Sequence, residues 1–337
     1  MSGEQQEGDA SSLPSTAYQV LNALESEIQG DHGERPLGGE EHARIWRHAC
    51  LDGIELFHGT YKNYEFARHF HRIPAIGVVD RGRMSSYCRG GNHILAAGTV
   101  LLLNPGEIHA PAPAGPSGWS FRMFYLDDAF FEKVSLPAAM RPLRFRQPFV
   151  QDRELASTLF QLHRELEVNG DRLRFEALFV SIFSRLAERY SEASTLAVDQ
   201  RLDRTAIGVA LDYMEANYDR NLSLDELAGL SSYSASHFLR MFRDVVGLTP
   251  HAYLTQFRIE LAITLLRSGT PLIDIAGLVG FTDQSHFTRK FKRILGVTPG
   301  QYAVSSGTRY AGKVRRLPAS GALDGFRRYI PDGRREK

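Results

Sequence analysis

The chain has 337 residues, of which 43% are hydrophobic and 23% charged, and its formal net charge is +1. This composition is typical of a globular protein of two domains. Two distant cysteines, Cys50 and Cys88, argue against a disulfide framework or a zinc finger, and no apolar run has the length of a membrane-spanning helix. We therefore expect a cytoplasmic protein with no membrane partner.

The charge is distributed unevenly between the two ends of the chain. Residues 1–41 hold nine acidic residues against one basic residue, whereas residues 306–337 hold nine basic against three acidic. We interpret residues 1–40 as a disordered acidic tail and residues 305–337 as a basic tail. The basic tail is compatible with a polyanionic partner or with a plain solvated end.

Residues 41–192 form the first predicted domain. Short β-branched and aromatic runs separated by Gly, Pro and Asn, such as "PAIGVVDRGRMSSYC" and "SGWSFRMFYL", predict an all-β meander, sandwich or barrel up to about residue 126. Apolar residues spaced by three and four predict two antiparallel helices between 152 and 190, joined at the "NG" of 169–170. Residues 191–200 are a predicted linker.

Residues 204–304 read as helical throughout and contain an internal repeat. "SHFLRMFRD" at 236–244 returns as "SHFTRKFKR" at 285–293, and the match extends to Gly-x-Thr-Pro and Tyr at the same offset of 49 residues. Each copy is a short helix, a turn and a second helix. We predict caps at Ser234 and Thr282, stops at Gly247 and Gly296, and an intervening helix over 250–267 with one apolar stripe.

A helical wheel separates two faces on the second helix of each copy. Phenylalanines and branched aliphatic residues form one face, and the opposite face is polar and basic. Such a face suits the major groove of double-stranded DNA, because Arg and Gln can bond guanine and adenine through two hydrogen bonds and Lys and Arg can meet phosphates. The predicted DNA-binding residues are Ser236, Arg240, Arg243, Gln284, Ser285, Thr288, Arg289, Lys292 and Arg293.

"GFTDQSHFTRKFKRILGVTPGQY" at 280–302 resembles the signature of the AraC/XylS family of bacterial transcription regulators, and the resemblance covers 205–304. It implies that bases are read from the first half of each repeated helix. "HFHRIPAIGVVDRGRM" at 69–84 and "AAGTVLLLNPGEIHAP" at 97–112 are similar to the effector-binding and dimerisation domain of the arabinose-regulator branch. This implies a cupin-like β-barrel followed by a helical hairpin that makes a homodimer.

The barrel residues leave the chemistry of the first domain open. His69, His71 and His109 allow a three-His metal site, or a His/Glu site with Glu107 if both are extended, but no carboxylate follows His71 at the usual distance. We therefore predict no metal and no cofactor, and assign these histidines to hydrogen bonding in a polar pocket. Alternation and family position give the remaining effector-binding candidates, which are Arg81, Trp119, Phe121, Met123 and Tyr125.

The sequence thus predicts an α+β protein with an N-terminal cupin-like β-barrel, a helical hairpin and a C-terminal tandem helix-turn-helix domain. We interpret it as a transcription activator, not an enzyme, that responds to a small-molecule effector and, by family resemblance, contacts RNA polymerase. Two alternatives stay open: a metal-dependent cupin enzyme fused to DNA-binding helices, and an effector-independent regulator whose barrel is a dimerisation scaffold.

Overall fold

The structure is a computed structural model that describes residues 41–48, 53–133, 144–167, 172–191 and 206–305. The predicted acidic tail, most of the linker, the "NG" turn and the basic tail lie outside these residues. None of the helices in the described ranges combines the length and apolar character needed to cross a membrane.

The N-terminal domain is an antiparallel β structure, as the sequence predicts. Its main sheet has the order β1-β2-β7-β3-β5-β8, and β4 and β6 both pair with β3. Because β3 takes part in both groups of strands, the sheet wraps into a barrel around an apolar interior. The strands are β1 His42–Arg47, β2 Ile54–Tyr61, β3 Ala75–Cys88, β4 Gly91–Ala96, β5 Thr99–Leu103, β6 His109–Pro113, β7 Trp119–Leu126 and β8 Phe149–Gln151.

Gly82 does not form a turn, because β3 continues through it. The register with β7 shifts between Val79 and Arg81, and Gly82 has φ 67°. A Cβ at Gly82 would lie 2.2 Å from the carbonyl oxygen of Gly118. The glycine therefore lets the strand bend at a bulge without reversing the chain. The reversal comes later, where Arg89 and the residue after it have positive φ.

Two helices cover the outer face of the sheet, which confirms the predicted hairpin. They are α2 Arg153–Glu165 and α3 Arg172–Tyr190, and a short α1, Asp128–Lys133, precedes them. Asp152 caps α2 by accepting a hydrogen bond from the backbone N–H of Leu155, and it accepts another from Arg185 of α3 at 2.8 Å. One carboxylate thus ties both helices of the hairpin together.

The C-terminal domain is entirely helical. Its helices are α4 Ala206–Ala216, α5 Leu224–Gly229, α6 Ala235–Val246, α7 Pro250–Arg267, α8 Leu272–Leu278, α9 Gln284–Leu295 and α10 Pro299–Ser305. The predicted stops at Gly247 and Gly296 are confirmed, since both are left-handed C-caps. Ser234 caps α6 as predicted, but the cap of α9 is Asp283 and not Thr282. The carboxylate of Asp283 reaches the N–H of His286, so that α9 begins one residue later than expected.

Helix α7 has the predicted bounds but is buried on more than one stripe. Gln256 and Arg258 are 1% and 8% exposed, although both are polar. The amide of Gln256 donates to the carbonyl of Phe70 in the barrel domain, while Arg258 donates to the carbonyl of Tyr218 beside α4. The helix therefore lies between the barrel and the other C-terminal helices, and its polar side chains hydrogen-bond to both.

Candidate functional site

The two repeated helices, α6 and α9, present the predicted polar faces to solvent. Their apolar faces are fully buried through Phe238 and Phe242 in α6 and through Phe287 and Phe291 in α9. The opposite face is exposed except for Thr288, which is half-buried. The exposed candidates are Ser236, Arg240, Arg243, Gln284, Ser285, Arg289, Lys292 and Arg293.

Capping fixes the first turn of each repeated helix, where several of the predicted base-reading residues lie. The Ser234 hydroxyl accepts from the N–H of His237, and the Asp283 carboxylate accepts from the N–H of His286 at 2.7 Å. The second hydrogen bond lowers the pKa of Asp283, so its charge remains next to the positive end of the helix dipole. Neighbouring side chains such as Gln284 and Ser285 therefore project from a well-ordered turn.

The two helices carry different charges. Helix α9 has four basic side chains and no acidic one, whereas α6 has Arg240 and Arg243 together with Asp244. Phosphate contacts scale with the number of available cations. This distribution predicts that α9 binds phosphates more strongly than α6 does.

A small cavity lies inside the barrel and is closed by the C-terminal domain. Its volume is about 30 Å³, and it is lined by Phe57, Phe66, His69, His71, Met84, Ser86, Leu101, Leu103, His109, Pro111, Phe121, Met123, Tyr125, Phe149, Ile294 and Leu295. Six of the eight effector-binding candidates are in this lining. Trp119 is fully buried beside Phe121 but lies outside the lining, because its ring is stacked 5.0 Å from that of Phe121. Arg81 is exposed and also outside the lining, because the bulge in β3 turns it to the surface.

Two of the lining residues, Ile294 and Leu295, come from the C-terminal domain. Both belong to the apolar stripe of α9, and the periodicity of the sequence predicts that this stripe packs only within the helical domain. Nothing local indicates that this stripe also closes the barrel. Met84 and Ser86, by contrast, alternate along β3, and that alternation could have placed them on the inner face.

Two hydrogen bonds to backbone carbonyls hold the C-terminal end of α9 against the barrel domain. The N–H of Ala67 donates to the carbonyl of Arg293 at 3.0 Å, and the Tyr64 hydroxyl donates to the carbonyl of Lys292 at 2.5 Å. The side chains of Lys292 and Arg293 remain exposed. A helix proposed to read DNA is thus bound at its end by the domain that contains the cavity.

A second contact between the domains centres on the buried carboxylate of Glu55 in β2. It accepts hydrogen bonds from Arg267 at the end of α7 and from the Tyr302 hydroxyl in α10, at 2.9 and 2.7 Å. Arg267 also donates to the Tyr302 oxygen at 2.9 Å. Burial, together with the nearby Glu55 charge, raises the pKa of Tyr302 well above its usual value, so the hydroxyl stays a donor.

The three histidines of the cavity wall lie together. One ring nitrogen from each of His69, His71 and His109 lies within 4.8 Å of the others. Desolvation lowers the pKa of all three, to about 4 for His109, so the rings are neutral at neutral pH.

The alternative His/Glu arrangement with Glu107, which the sequence allows, is not formed. Glu107 lies in the turn before β6 and not in an extended strand, and its carboxylate accepts hydrogen bonds from the backbone N–H of Asn104 and from the guanidinium of Arg89. The turn directs this carboxylate to the Arg89 loop, so it does not complete the histidine group.

Two family descriptions match separate parts of the chain. Residues 53–183 match an "AraC-like ligand binding domain" and residues 227–304 match a "Helix-turn-helix domain". The chain is 31% identical to the uncharacterized HTH-type transcriptional regulator YbfI of Bacillus subtilis over 223 residues, and this alignment covers 65% of this chain and 80% of that relative. It is also 31% identical to the HTH-type transcriptional activator RhaS of Yersinia pseudotuberculosis over 230 residues, and this alignment covers 65% of this chain and 82% of RhaS. The crystal structure of ToxT from Vibrio cholerae aligns at 15% identity with a TM-score of 0.44 over 79% of this chain and 97% of that one.

Proposed function

Because the chain belongs to the AraC/XylS family of DNA-binding transcription regulators, we propose that it activates transcription when a small-molecule effector enters the barrel cavity and releases the second repeated helix. One observation carries this proposal. Ile294 and Leu295 of α9 line the same cavity as Phe57 and Met123 of the barrel. Any molecule that fills the cavity therefore touches the helix that carries Gln284 and Arg289.

The size of the cavity gives this contact a mechanical consequence. Its volume of about 30 Å³ has room for one or two water molecules. A larger effector fits only if the wall moves, and the wall formed by Ile294 and Leu295 belongs to a separate domain. Such an effector binds the open arrangement better than the closed one, which is the condition for shifting the population between them.

Release of α9 requires that contacts between the two domains break. These include the hydrogen bonds to the backbone carbonyls of Lys292 and Arg293 in α9, and the contact of Glu55 with Arg267 of α7 and Tyr302 of α10. In the closed arrangement they fix α9 at the end whose side chains are proposed to meet phosphates. Opening frees α9 to align with α6 on one face of the duplex.

Further parts of the proposal rest on family membership. We assign activation in line with RhaS of Yersinia pseudotuberculosis, named a transcriptional activator. Contact with RNA polymerase and homodimerisation through α2 and α3 are family expectations, and Val180 on α3, 46% exposed, offers an apolar contact for a second copy. We also propose a cytoplasmic location and no catalytic activity. Sedimentation of the purified chain tests the dimer.

Genome-wide mapping of bound DNA is the experiment that tests this function. The mapped fragments supply the target sequence, and the neighbouring genes indicate which compounds to try as effectors. Fluorescence anisotropy with such a fragment then measures affinity with and without each compound, and thermal unfolding reports binding to the protein. An effector is expected to raise both the melting temperature and the affinity for DNA. A DNA-binding protein with no ligand-induced change would instead favour the barrel as a dimerisation scaffold.

A further inference from the structure

The hydrogen bonds of two cavity histidines determine which ring nitrogen carries the lone pair. Nδ1 of His69 lies 2.8 Å from the carbonyl oxygen of Ala67, and Nδ1 of His109 lies 3.0 Å from the carbonyl oxygen of Glu107. A carbonyl oxygen can only accept, so each Nδ1 carries the proton. Each neutral ring is therefore left with an unprotonated Nε2. This arrangement, with Nδ1–H on a backbone carbonyl, is the one that orients metal-binding histidines in proteins.

Backbone hydrogen bonds hold the three rings in place before anything binds. His69 and His109 exchange two backbone hydrogen bonds, at 3.0 and 2.9 Å, which sets their side chains next to one another. The carbonyl of His71 accepts from the N–H of Gly106 at 2.8 Å. The ring centroids are 4.3 Å apart for His69 and His109, and 5.0 and 5.1 Å from each of these to His71. The chain segments that carry these histidines are therefore already held in place by hydrogen bonds, so metal binding requires little further ordering of the chain.

From this geometry we infer that His69, His71 and His109 bind a divalent transition-metal ion in the barrel cavity. A nitrogen separation within 4.8 Å is somewhat wider than in a closed tetrahedral site, and small rotations of the rings bring one nitrogen of each ring to about 2.0–2.1 Å from a common centre. The rings are neutral, which is the form that coordinates metals. The rest of the wall is mostly apolar, with Leu103 and Met123 among its residues, and this limits the access of solvent to the rings.

The ligand set indicates the class of metal. Imidazole nitrogens suit Zn²⁺, Cu²⁺, Ni²⁺ and Fe²⁺ and do not suit Mg²⁺ or Ca²⁺, which take oxygen ligands. Three protein ligands leave a fourth position open, as in metal sites that bind an exogenous molecule. All three histidines line the cavity, so an effector that enters it with an anionic oxygen or nitrogen donor can complete the fourth position. This last step rests on the proposed function, whereas metal binding itself does not.

Zinc binding to the full chain tests the site directly. Protein treated with a chelator and dialysed is titrated with Zn²⁺ by isothermal calorimetry, and bound metal is counted by elemental analysis. We expect one Zn²⁺ per chain. Loss of a residue that only hydrogen-bonds to a metal ligand weakens metal binding by roughly 10–100-fold. Because His71→Gln and His109→Gln each remove a ligand itself, we expect each to weaken zinc binding by more than this. His93→Gln, at an exposed histidine of the same barrel, is the matched control and should bind as the wild type does.

Two further measurements separate the possible outcomes. Circular dichroism checks whether His71→Gln is folded. We expect this variant to disturb the fold less than His109→Gln, because His71 is half-buried. Co²⁺ in place of Zn²⁺ should give the visible spectrum of a four-coordinate ion, and azide should change that spectrum if the fourth position is open. Zinc binding that is absent from the wild type, or retained at full strength in folded His71→Gln and His109→Gln, would overturn the site. A Co²⁺ spectrum that is insensitive to azide would overturn the open position. DNA binding is measured separately and stands or falls without these results.

Discussion

The guanidinium of Arg267 donates a hydrogen bond to the carboxylate of Glu55 at 2.9 Å, across 212 positions of sequence. Glu55 is in the barrel and Arg267 ends the long helix of the DNA-binding domain. Tyr302 completes the group by donating to the same carboxylate oxygen. This group, together with the backbone bonds to the end of α9, connects effector domain and DNA-binding domain in the closed arrangement.

Glu55→Gln should loosen this connection and lower the stability of the closed arrangement. The substitution leaves the Arg267 charge without its carboxylate, and because the Arg267 side chain is 31% exposed we expect a loss of about 1–3 kcal/mol. Chemical denaturation measures the loss, and hydrogen exchange should show faster exchange in α10 and at the end of α7. Glu65→Gln, at an exposed carboxylate of the same domain, is the control. Equal exchange in Glu55→Gln and the control would count against the connection.

Arg289→Ala should weaken and relax sequence-specific DNA binding. Arg289 is exposed near the middle of α9, where its guanidinium can make two hydrogen bonds to guanine. The expected cost is about 1–3 kcal/mol on the cognate fragment, with little effect on random DNA. Anisotropy titrations with both DNAs measure the difference. Arg164→Ala, on the hairpin, serves as the exposed control, and an unchanged affinity of Arg289→Ala for its cognate fragment would refute the assignment.

Lys292→Ala should behave differently from Arg289→Ala. The Lys292 side chain is exposed toward the end of α9, where it is proposed to contact a phosphate. Affinity should fall for all DNA sequences, and the slope of log affinity against log salt should decrease by about 0.9. Lys62→Ala removes an exposed lysine from the barrel and should leave the slope unchanged. A loss confined to one DNA sequence would reassign Lys292 to base reading.

The helical domain shows how much the sequence alone could predict. Proline and glycine fix the ends of α7, α6 and α9, and these ends were predicted because caps act over one turn of chain. The cap of α9 was misplaced by one residue, since Thr282 and Asp283 are both good caps and only the geometry selects between them. For these three helices, local chemistry therefore predicts the bounds to within a residue.

The cavity shows where prediction from sequence ends. Alternation along β7 placed Phe121, Met123 and Tyr125 on one face, and all three line the cavity. Leu295 also lines the cavity, and Gln256 in α7 is buried, because of contacts between two domains that are far apart in sequence. Periodicity shows that a helix face is apolar, but it does not show which domain covers that face.

The stability of the barrel should decrease as the pH falls below 6.5, because His163 is buried in its neutral form. Desolvation and the adjacent Arg122 hold the pKa of His163 well below its usual value. The ring is satisfied only as the neutral form, since its Nε2–H donates to the carbonyl of Phe57 while Nδ1 accepts from Arg122. Below pH 6.5 the unfolded chain binds a proton at His163 and the folded chain does not, which favours unfolding by about 1.4 kcal/mol per pH unit.

Denaturation between pH 7 and pH 5 measures this dependence. His163→Gln keeps a donor and an acceptor but cannot titrate, so its free energy of unfolding should depend less on pH than that of the wild type. His93→Gln should retain the full dependence, because that histidine is exposed. Identical pH profiles for His163→Gln and the wild type would show that the proton is taken up elsewhere.

We propose that the closed contact between the barrel and α9 restrains DNA binding. The most direct test is the affinity of the Glu55→Gln/Tyr64→Phe double variant for a mapped DNA fragment without effector. Both substitutions loosen contacts between the domains and neither alters a residue proposed to touch DNA. We expect tighter binding than wild type, by about tenfold for each 1.4 kcal/mol of contact energy removed. Unchanged or weaker binding by the folded double variant would show that the contact does not restrain DNA binding.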